Sequence, residues 1–298
     1  MATPWPLPAA AVRGLTIRWP TVYEWHPGRW VDPILDGLRE LGVRIERSDV
    51  PQPYRNLVVF EALVGGREVP IALDYFDRSG LDEAAAAEVA LYFKMQYDSS
   101  GYAAGNVVAG GYVPGNRAIF RRLRLLRAIR RLPPGADVYA RFGLRHGADR
   151  RRRAVDILAS RPELTFVGGL TRYEGGPRPV SYRRYLVELA RARICLDLPG
   201  HGDLCFRLIE ALAIGVCVVR PPSSVQLHVP LVEGEHVATC APDFEDLGDV
   251  CSGLVRNDAE RQRIARNGRD FFDRFLGRPQ LASYYVHEIL RVAEGAGG

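Results

Sequence analysis

Residues 192–224 read ARICLDLPGHGDLCFRLIEALAIGVCVVRPPSS, and this stretch decides the fold. An apolar run, ICLDL, enters a tight Pro-Gly-His-Gly loop, and a helical pattern opens at Asp203 or just after it. Asp203 suits a helix N-cap, because its carboxylate accepts from the free N–H groups of the first turn. Gly215 stands where a C-cap glycine belongs, and the β-type run VCVV follows at once. Strand, loop, buried helix and strand in that order is the repeating unit of a parallel α/β sheet.

Inside the helical pattern, Leu204 to Ile214 is apolar except for Arg207 and Glu210. Positions 203, 207 and 210 share one face, since seven residues make almost two turns. A buried carboxylate is costly without a partner. One reading pairs Arg207 with Asp203 and Glu210 as a structural network. The other points Glu210 at hydroxyl groups and Arg207 at negative charge. The start of a helix after a Gly-containing loop is an anion site in its own right, through its free N–H groups and positive dipole end.

Outward from this stretch the same rhythm continues. Strands are expected at 137–142, 164–167, 216–220 and 237–239, with helices at 149–159, 181–192, 244–255 and 259–275. Pro133-Pro134-Gly135 punctuates the chain and is taken as a domain junction. Before it, strands are expected at 15–19, 57–64, 69–75, 90–96 and 106–109, and helices at 31–41, 81–88 and 117–132. Gly65-Gly66 between two strands signals a hairpin, so the first sheet should be mixed. A doubly wound sheet binds ligands beyond the carboxyl ends of its strands, and chemistry is expected there.

At 298 residues the chain is long enough for two domains, and 47% hydrophobic with 25% charged residues is globular composition. No run reaches the ~20 apolar residues of a membrane helix. The opening MATPWPLPAAAVRG lacks a basic segment before an apolar run, so no signal peptide is expected and a cytoplasmic location follows. Five cysteines without a CxxC pair read as small core residues, not as disulfides or a metal site. The net charge of +5 gathers in RRLRLLRAIRR (121–131) and RHGADRRRR (145–153). Both read as solvated helix faces. No aromatic residues interleave with the arginines and no nucleic-acid motif accompanies them, so nucleic acid is not expected as a partner.

The loop, buried helix and strand of 192–224 resemble the donor-binding segment of GT-B glycosyltransferases, especially the exostosin-like and group 1-like members. The shared pattern is R-L-x-E-A-L-x-x-G, present as Arg207-Leu208-Ile209-Glu210-Ala211-Leu212 and Gly215. The resemblance spans about half the chain, roughly residues 137–290. It implies an α/β fold of two Rossmann-like domains facing a central cleft, with a C-terminal helix that crosses back. Domains of 1–133 and 134–278 follow, with 279–298 returning to the first.

By the same resemblance, Glu210 binds ribose or sugar hydroxyls of a nucleotide diphosphate sugar. Gly200, His201, Gly202 and Asp203 form the loop against diphosphate and sugar, and Arg141 and Arg145 sit where diphosphate-binding cations belong. Many group 1 members bracket this segment with two glutamates; here the first is Asp203, so a retaining mechanism does not carry over.

The implied activity is glycosyl transfer from a nucleotide sugar to an acceptor hydroxyl or amine, with no separate cofactor. No Asp-x-Asp pair is present to hold a divalent cation, so the leaving diphosphate is expected to be stabilised without a metal. In TVYEWHPGRW, His26 or Glu24 supplies an acceptor base. Lys94, Asp74 and Asp77 are further cleft residues, with Lys94 placed to meet phosphate or to pair with Asp98. Three rivals remain: a nicotinamide dehydrogenase, which lacks its G-x-G-x-x-G here, an inactive nucleotide-sugar binder, and a basic nucleic-acid-binding protein.

Overall fold

The computed structural model describes residues 4–23, 27–143, 146–171 and 176–295. The elements begin with α1 (Ala9–Arg13), β1 (Leu15–Pro20), α2 (Gly28–Glu40), β2 (Arg44–Ser48), β3 (Leu57–Val64) and β4 (Arg67–Asp74). Next come α3 (Glu83–Glu88), β5 (Leu91–Lys94), β6 (Tyr97–Asp98), β7 (Val107–Ala109), α4 (Leu123–Ile129) and β8 (Ala136–Phe142). Then follow α5 (Ala148–Ala159), β9 (Phe166–Leu170), α6 (Tyr182–Ala190), β10 (Ala192–Leu196), α7 (Phe206–Ile214) and β11 (Cys217–Arg220). The chain closes with β12 (Val225–Gln226), β13 (Ala238–Thr239), α8 (Leu247–Arg256), α9 (Asp258–Phe271) and α10 (Arg278–Gly295).

The chain divides into two compact units. The first comprises 1–113, 224–230 and 273–298; the second comprises 114–223 and 231–272. The first junction thus falls after Val113 and not at Pro133-Pro134-Gly135. The reason is α4, which packs on α6 and α7 of the second unit. The helix expected over 117–132 is also broken: a 3-10 turn, Arg117–Ile119, precedes the shorter α4.

The first unit holds a mixed sheet in the order β2-β1-β3-β4-β5-β7. Its hairpin β3–β4 turns through Gly65 and Gly66, both at positive φ (59° and 85°), as a two-residue turn of that hand requires. The edge strand β2 was not expected; its sequence RIERS is mostly polar and mostly exposed. Helix α10 packs against α2, and at the crossing a Cβ on Gly37 would lie 2.2 Å from the Arg278 carbonyl oxygen. Strand β12 pairs with β6, which places residues 224–230 in this unit. Deeper in, Phe93 stacks on Tyr285, whose hydroxyl donates to the Gly110 carbonyl at 2.8 Å. The buried His228 ring lies against both Trp5 and Tyr284.

The second unit is a five-stranded, wholly parallel sheet in the order β13-β11-β10-β8-β9. Numbered from its first strand, this is the order 2-1-3-4-5, a doubly wound arrangement whose winding reverses between β8 and β10. Helices α5 and α8 cover one face together with Val138, Ala140, Ile194, Leu196 and Val219, while α6 and α7 pack on the other. Four of the five cysteines are buried, Cys205 is half-buried, and all are free thiols, as core residues should be.

Candidate functional site

The reversal point between β8 and β10 is where a doubly wound sheet opens a crevice beyond its strand ends. The loop after β8 leads into α5, and the loop after β10 leads into α7, so two helices begin at this edge. Helix α5 follows Gly147 and α7 follows Cys205, and neither preceding residue caps its helix with a side chain. Asp203 is therefore not the N-cap expected of it. The chain takes two more residues, Leu204 and Cys205, before helix geometry begins, and Asp203 belongs to the loop instead. Its carbonyl accepts from Arg220 at 3.2 Å, and its carboxylate accepts from the Ser223 hydroxyl at 3.4 Å.

At the centre lies Asp197, one residue past β10 and fully buried. Arg207 reaches its Oδ1 at 3.3 Å, and Arg220 approaches its Oδ2 at 4.0 Å. Arg151 joins the group electrostatically and ties the two loops together. Its Nη1 donates to the Gly143 carbonyl at 2.8 Å and its Nη2 to the Pro199 carbonyl at 3.0 Å. The guanidinium carbons of Arg207 and Arg151 lie 4.5 and 5.3 Å from the Phe142 ring centre, a favourable cation–π arrangement. Burial pushes the Asp197 carboxyl up, against the pull of the three arginines. Burial also works against the charge of Arg207, yet Asp197 beside it holds the guanidinium above its ordinary value.

Three guanidiniums thus surround one carboxylate. The Nε atoms of Arg151, Arg207 and Arg220, and Oδ2 of Asp197, are buried without a hydrogen-bond partner among the described residues. Three guanidiniums against one carboxylate leave the cluster net positive, and a buried positive charge of this kind favours an anion beside it. Around the cluster, the Gly200 N–H donates to the Gly202 carbonyl at 2.9 Å, closing the Gly200-His201-Gly202 turn. The His201 ring lies 4.8 Å from that of His146, so both loops present an imidazole on the same side.

Glu210 sits one turn beyond Arg207 on α7 and is 3% exposed. Arg207 does not pair with it, nor with Asp203; its carboxylate partner is Asp197. Glu210 instead accepts from the Gly115 N–H at 3.0 Å and the Tyr182 hydroxyl at 2.7 Å, and Tyr185 lies close enough to influence its carboxyl. Burial raises the Glu210 carboxyl, and the neighbouring Tyr182, Tyr185, Gly115 N–H and Arg207 pull against that rise.

Arg141 faces the α6 side of the sheet, because side chains alternate along β8. There its Nε bonds Glu188 at 2.9 Å, and Tyr139 meets the same carboxylate at 3.1 Å. This pairing holds Arg141 12% exposed, away from the role of a free diphosphate cation. Arg145, His26 and Glu24 lie outside the described residues. In the first unit, Lys94 pairs with Asp74 at 2.6 Å and not with Asp98; both are buried, and Tyr92 donates to the same carboxylate at 2.6 Å. They stand side by side because β4 and β5 run parallel with Asp74 and Lys94 in register. Asp77 accepts from the Tyr112 hydroxyl at 3.2 Å.

The arginine run 145–153 is not simply a solvated face, since Arg151 is buried in the site. Asp197, Arg151, Arg220, Tyr182, Tyr185 and Gly115 were not singled out from sequence. A signal existed for two of them: Asp197 and Arg220 are lone charges at the carboxyl ends of apolar strands. Among the described residues no three His, Cys, Asp or Glu side chains gather as a metal site, and no helix is long and apolar enough to cross a membrane.

Residues 145–276, from the loop after β8 to just before α10, match the family model described as glycosyl transferase-like. That stretch, a little under half of the chain, is similar to the glycosyl transferase-like family. The match meets the resemblance drawn from the R-L-x-E-A-L pattern, and it contains all of the arginine cluster. Among solved structures, the chain is similar to the C-terminal domain of a group 1 family glycosyl transferase, LpcC, from Francisella tularensis. Identity there is 12%, over 54% of this chain and 93% of that one, with a TM-score of 0.36.

Anabaena Alr3699/HepE in complex with UDP-glucose is 11% identical over 72% of this chain and 65% of its own, with a TM-score of 0.42. A UDP-GlcNAc 2-epimerase from Neisseria meningitidis, bound to UDP-GlcNAc, is 13% identical over 70% and 63%, also at 0.42. The chain therefore spans a little under two thirds of these last two. No curated protein matches it.

Proposed function

We propose that the glycosyl transferase-like domain binds a nucleotide diphosphate sugar at the carboxyl ends of β8, β10 and β11, and that the protein transfers its glycosyl group to an acceptor. The observation that carries this reading is the buried cluster of Arg151, Arg207 and Arg220 around Asp197, with its unpartnered donors. Glycosyl transfer leaves a nucleoside diphosphate whose negative charge grows as the sugar departs. Guanidiniums fixed by Phe142 and by loop carbonyls stabilise that charge without reorganising, and the starts of α5 and α7 add their dipoles. In this reading three arginines do the work that a divalent cation does elsewhere.

Glu210 would accept a donor hydroxyl in place of one of its present partners, and the Gly200-His201-Gly202-Asp203 turn would lie against the diphosphate. The acceptor hydroxyl needs a base, and His26 and Glu24 are the candidates that the sequence offers.

The test is calorimetric titration of the full chain with UDP, GDP, ADP and TDP, repeated with Arg220→Ala. One diphosphate should bind selectively and lose about tenfold or more in the variant. Bound donor should then be consumed in the presence of EDTA as fast as without it. Equal binding of every diphosphate by wild type and Arg220→Ala would refute the donor site, and loss of turnover in EDTA would refute the metal-free step.

A further inference from the structure

The second unit has a cavity of about 530 Å³ at the edge of the sheet opposite the arginine cluster, beside the amino ends of β8 and β10. Its walls are the end of α4 and one side of α9. Helix α4 and the residues after it contribute Arg127, Arg130 and Arg131; α9 contributes Arg261, Arg266 and Arg269; β10 adds Arg193. Among the described residues, carboxylates meet three of these arginines: Asp258 at Arg261, Asp137 at Arg193 and Asp270 at Arg269. With Arg127 left out of the count, six cations against three anions leave three positive charges. The carboxyl-terminal ends of α6 and α7 also point here and return about half a charge each, so roughly two remain.

Two of the arginines are held rigidly by those helix ends. Arg127 donates from Nε to the Ala213 carbonyl at 2.9 Å, and Arg130 from Nε to the Gly215 carbonyl at 3.0 Å and from Nη1 to that of Ala192. Burial and the nearby charge of Arg261 push Arg130 down to about 10, a sign that the like charges feel one another. At the rim the situation differs: among the described residues neither Arg131 nor Arg266 meets a carboxylate, and both are exposed. A concave site with fixed guanidiniums below and unpaired ones above suits a compact, multiply charged anion. Phosphate oxygens match the guanidinium fork two at a time, and the volume is that of a small-ligand pocket.

We propose that this cavity is a second anion site, separate from the strand-end cluster, which binds clustered phosphates of the pyrophosphate type. It does not depend on the transferase reading. The ligand's source is either a soluble phosphate compound or the phosphorylated headgroup of a lipid, and the shared chemistry is two or more adjacent phosphates.

The probe is inorganic pyrophosphate, titrated into the full chain at physiological salt, with sulfate at equal ionic strength as the control. Wild type should bind pyrophosphate in preference to sulfate. The double variant Arg131→Glu/Arg266→Glu should bind it about tenfold more weakly, whereas Arg220→Ala should keep this site. Arg131→Gln/Arg266→Gln, which removes charge without reversing it, should give a smaller loss, and unchanged circular dichroism would show that the variants fold. Vesicles containing a phosphorylated inositol lipid provide the second arm. Sedimentation with them, reversed by pyrophosphate and lost in the double variant, identifies a headgroup source; pyrophosphate binding without sedimentation identifies a soluble one.

The proposal is overturned if the double variant binds pyrophosphate as wild type does, if sulfate binds equally, or if millimolar pyrophosphate gives no heat. It is likewise overturned if only duplex DNA or RNA binds the patch.

Discussion

The hydroxyl of Tyr182 donates to Oε1 of Glu210 across 2.7 Å, joining the first turn of α6 to the middle of α7. The same oxygen takes the Gly115 N–H, so its bonding capacity is already in use. If a donor hydroxyl binds Glu210, it competes with Tyr182. Tyr182→Phe should therefore lower stability by about 1 kcal/mol through loss of a hydrogen bond to a buried carboxyl, yet strengthen nucleotide binding by a similar amount, roughly fivefold. Thermal unfolding and titration calorimetry on one sample measure both. A parallel fall in stability and affinity would assign Tyr182 to donor binding instead.

Removing Arg207 takes away the nearest cation of the buried Asp197 and leaves it Arg220 at 4.0 Å and the electrostatic influence of Arg151. Arg207→Ala should cost about 3–5 kcal/mol, since breaking a buried pair strands a charge. Asp197→Asn in the same background should recover part of that loss. A double-mutant cycle from urea unfolding should show coupling of at least ~1 kcal/mol, and simple additivity would mean that the two side chains do not interact.

His228 gives the first unit an acid-side weakness. Its burial pushes the imidazole down to about 3, below its ordinary value of 6.5. The unfolded chain therefore takes up the proton first. Stability is complete above about pH 6.5 and falls as pH drops towards 3, by roughly 2 kcal/mol at pH 5. His228→Phe keeps an aromatic ring against Trp5 and Tyr284 and should remove that part of the slope. Glu210, Asp197 and Asp74 have raised carboxyls, whose contribution runs the other way and is lost as pH rises. The difference between wild type and variant isolates the histidine.

Gly37 tests the seam between α2 and α10. Alanine in a helix interior ordinarily gains up to ~1 kcal/mol over glycine. Here the added methyl would sit 2.2 Å from the Arg278 oxygen and 2.9 Å from Ala282 Cβ, so the steric cost of about 1–3 kcal/mol should win. Gly253, within α8 and with open space at its Cβ position, is the control, and Gly253→Ala should raise the melting temperature.

Much of the second unit was readable because each buried strand and helix carries its own periodicity. The stretch 192–224 folds as strand, loop, helix and strand, and Gly215 caps α7 at φ 89°. Strand β2 was missed because an exposed edge of sequence RIERS has little apolar alternation to read. The pairing of charges was harder. Arg141 and Glu188 are 47 residues apart, and Arg207 chose Asp197 ten residues back over partners on its own helix face. Helix spacing shows which residues share a face, but only the sheet's winding order brings Arg151, Asp197, Arg207 and Arg220 to one point.

The division of the chain also fixes an order of assembly. The second unit has all of its residues once Phe272 is made, whereas the first still lacks residues 273–298, which include the α10 helix that packs on α2. In the order of synthesis, the earlier segment of the first unit therefore waits for a later one. Until α10 is made, the α2 surface around Gly37 that it packs on stays uncovered. A chain cut short just after Leu276 would retain every residue of the second unit joined to a first unit without α10.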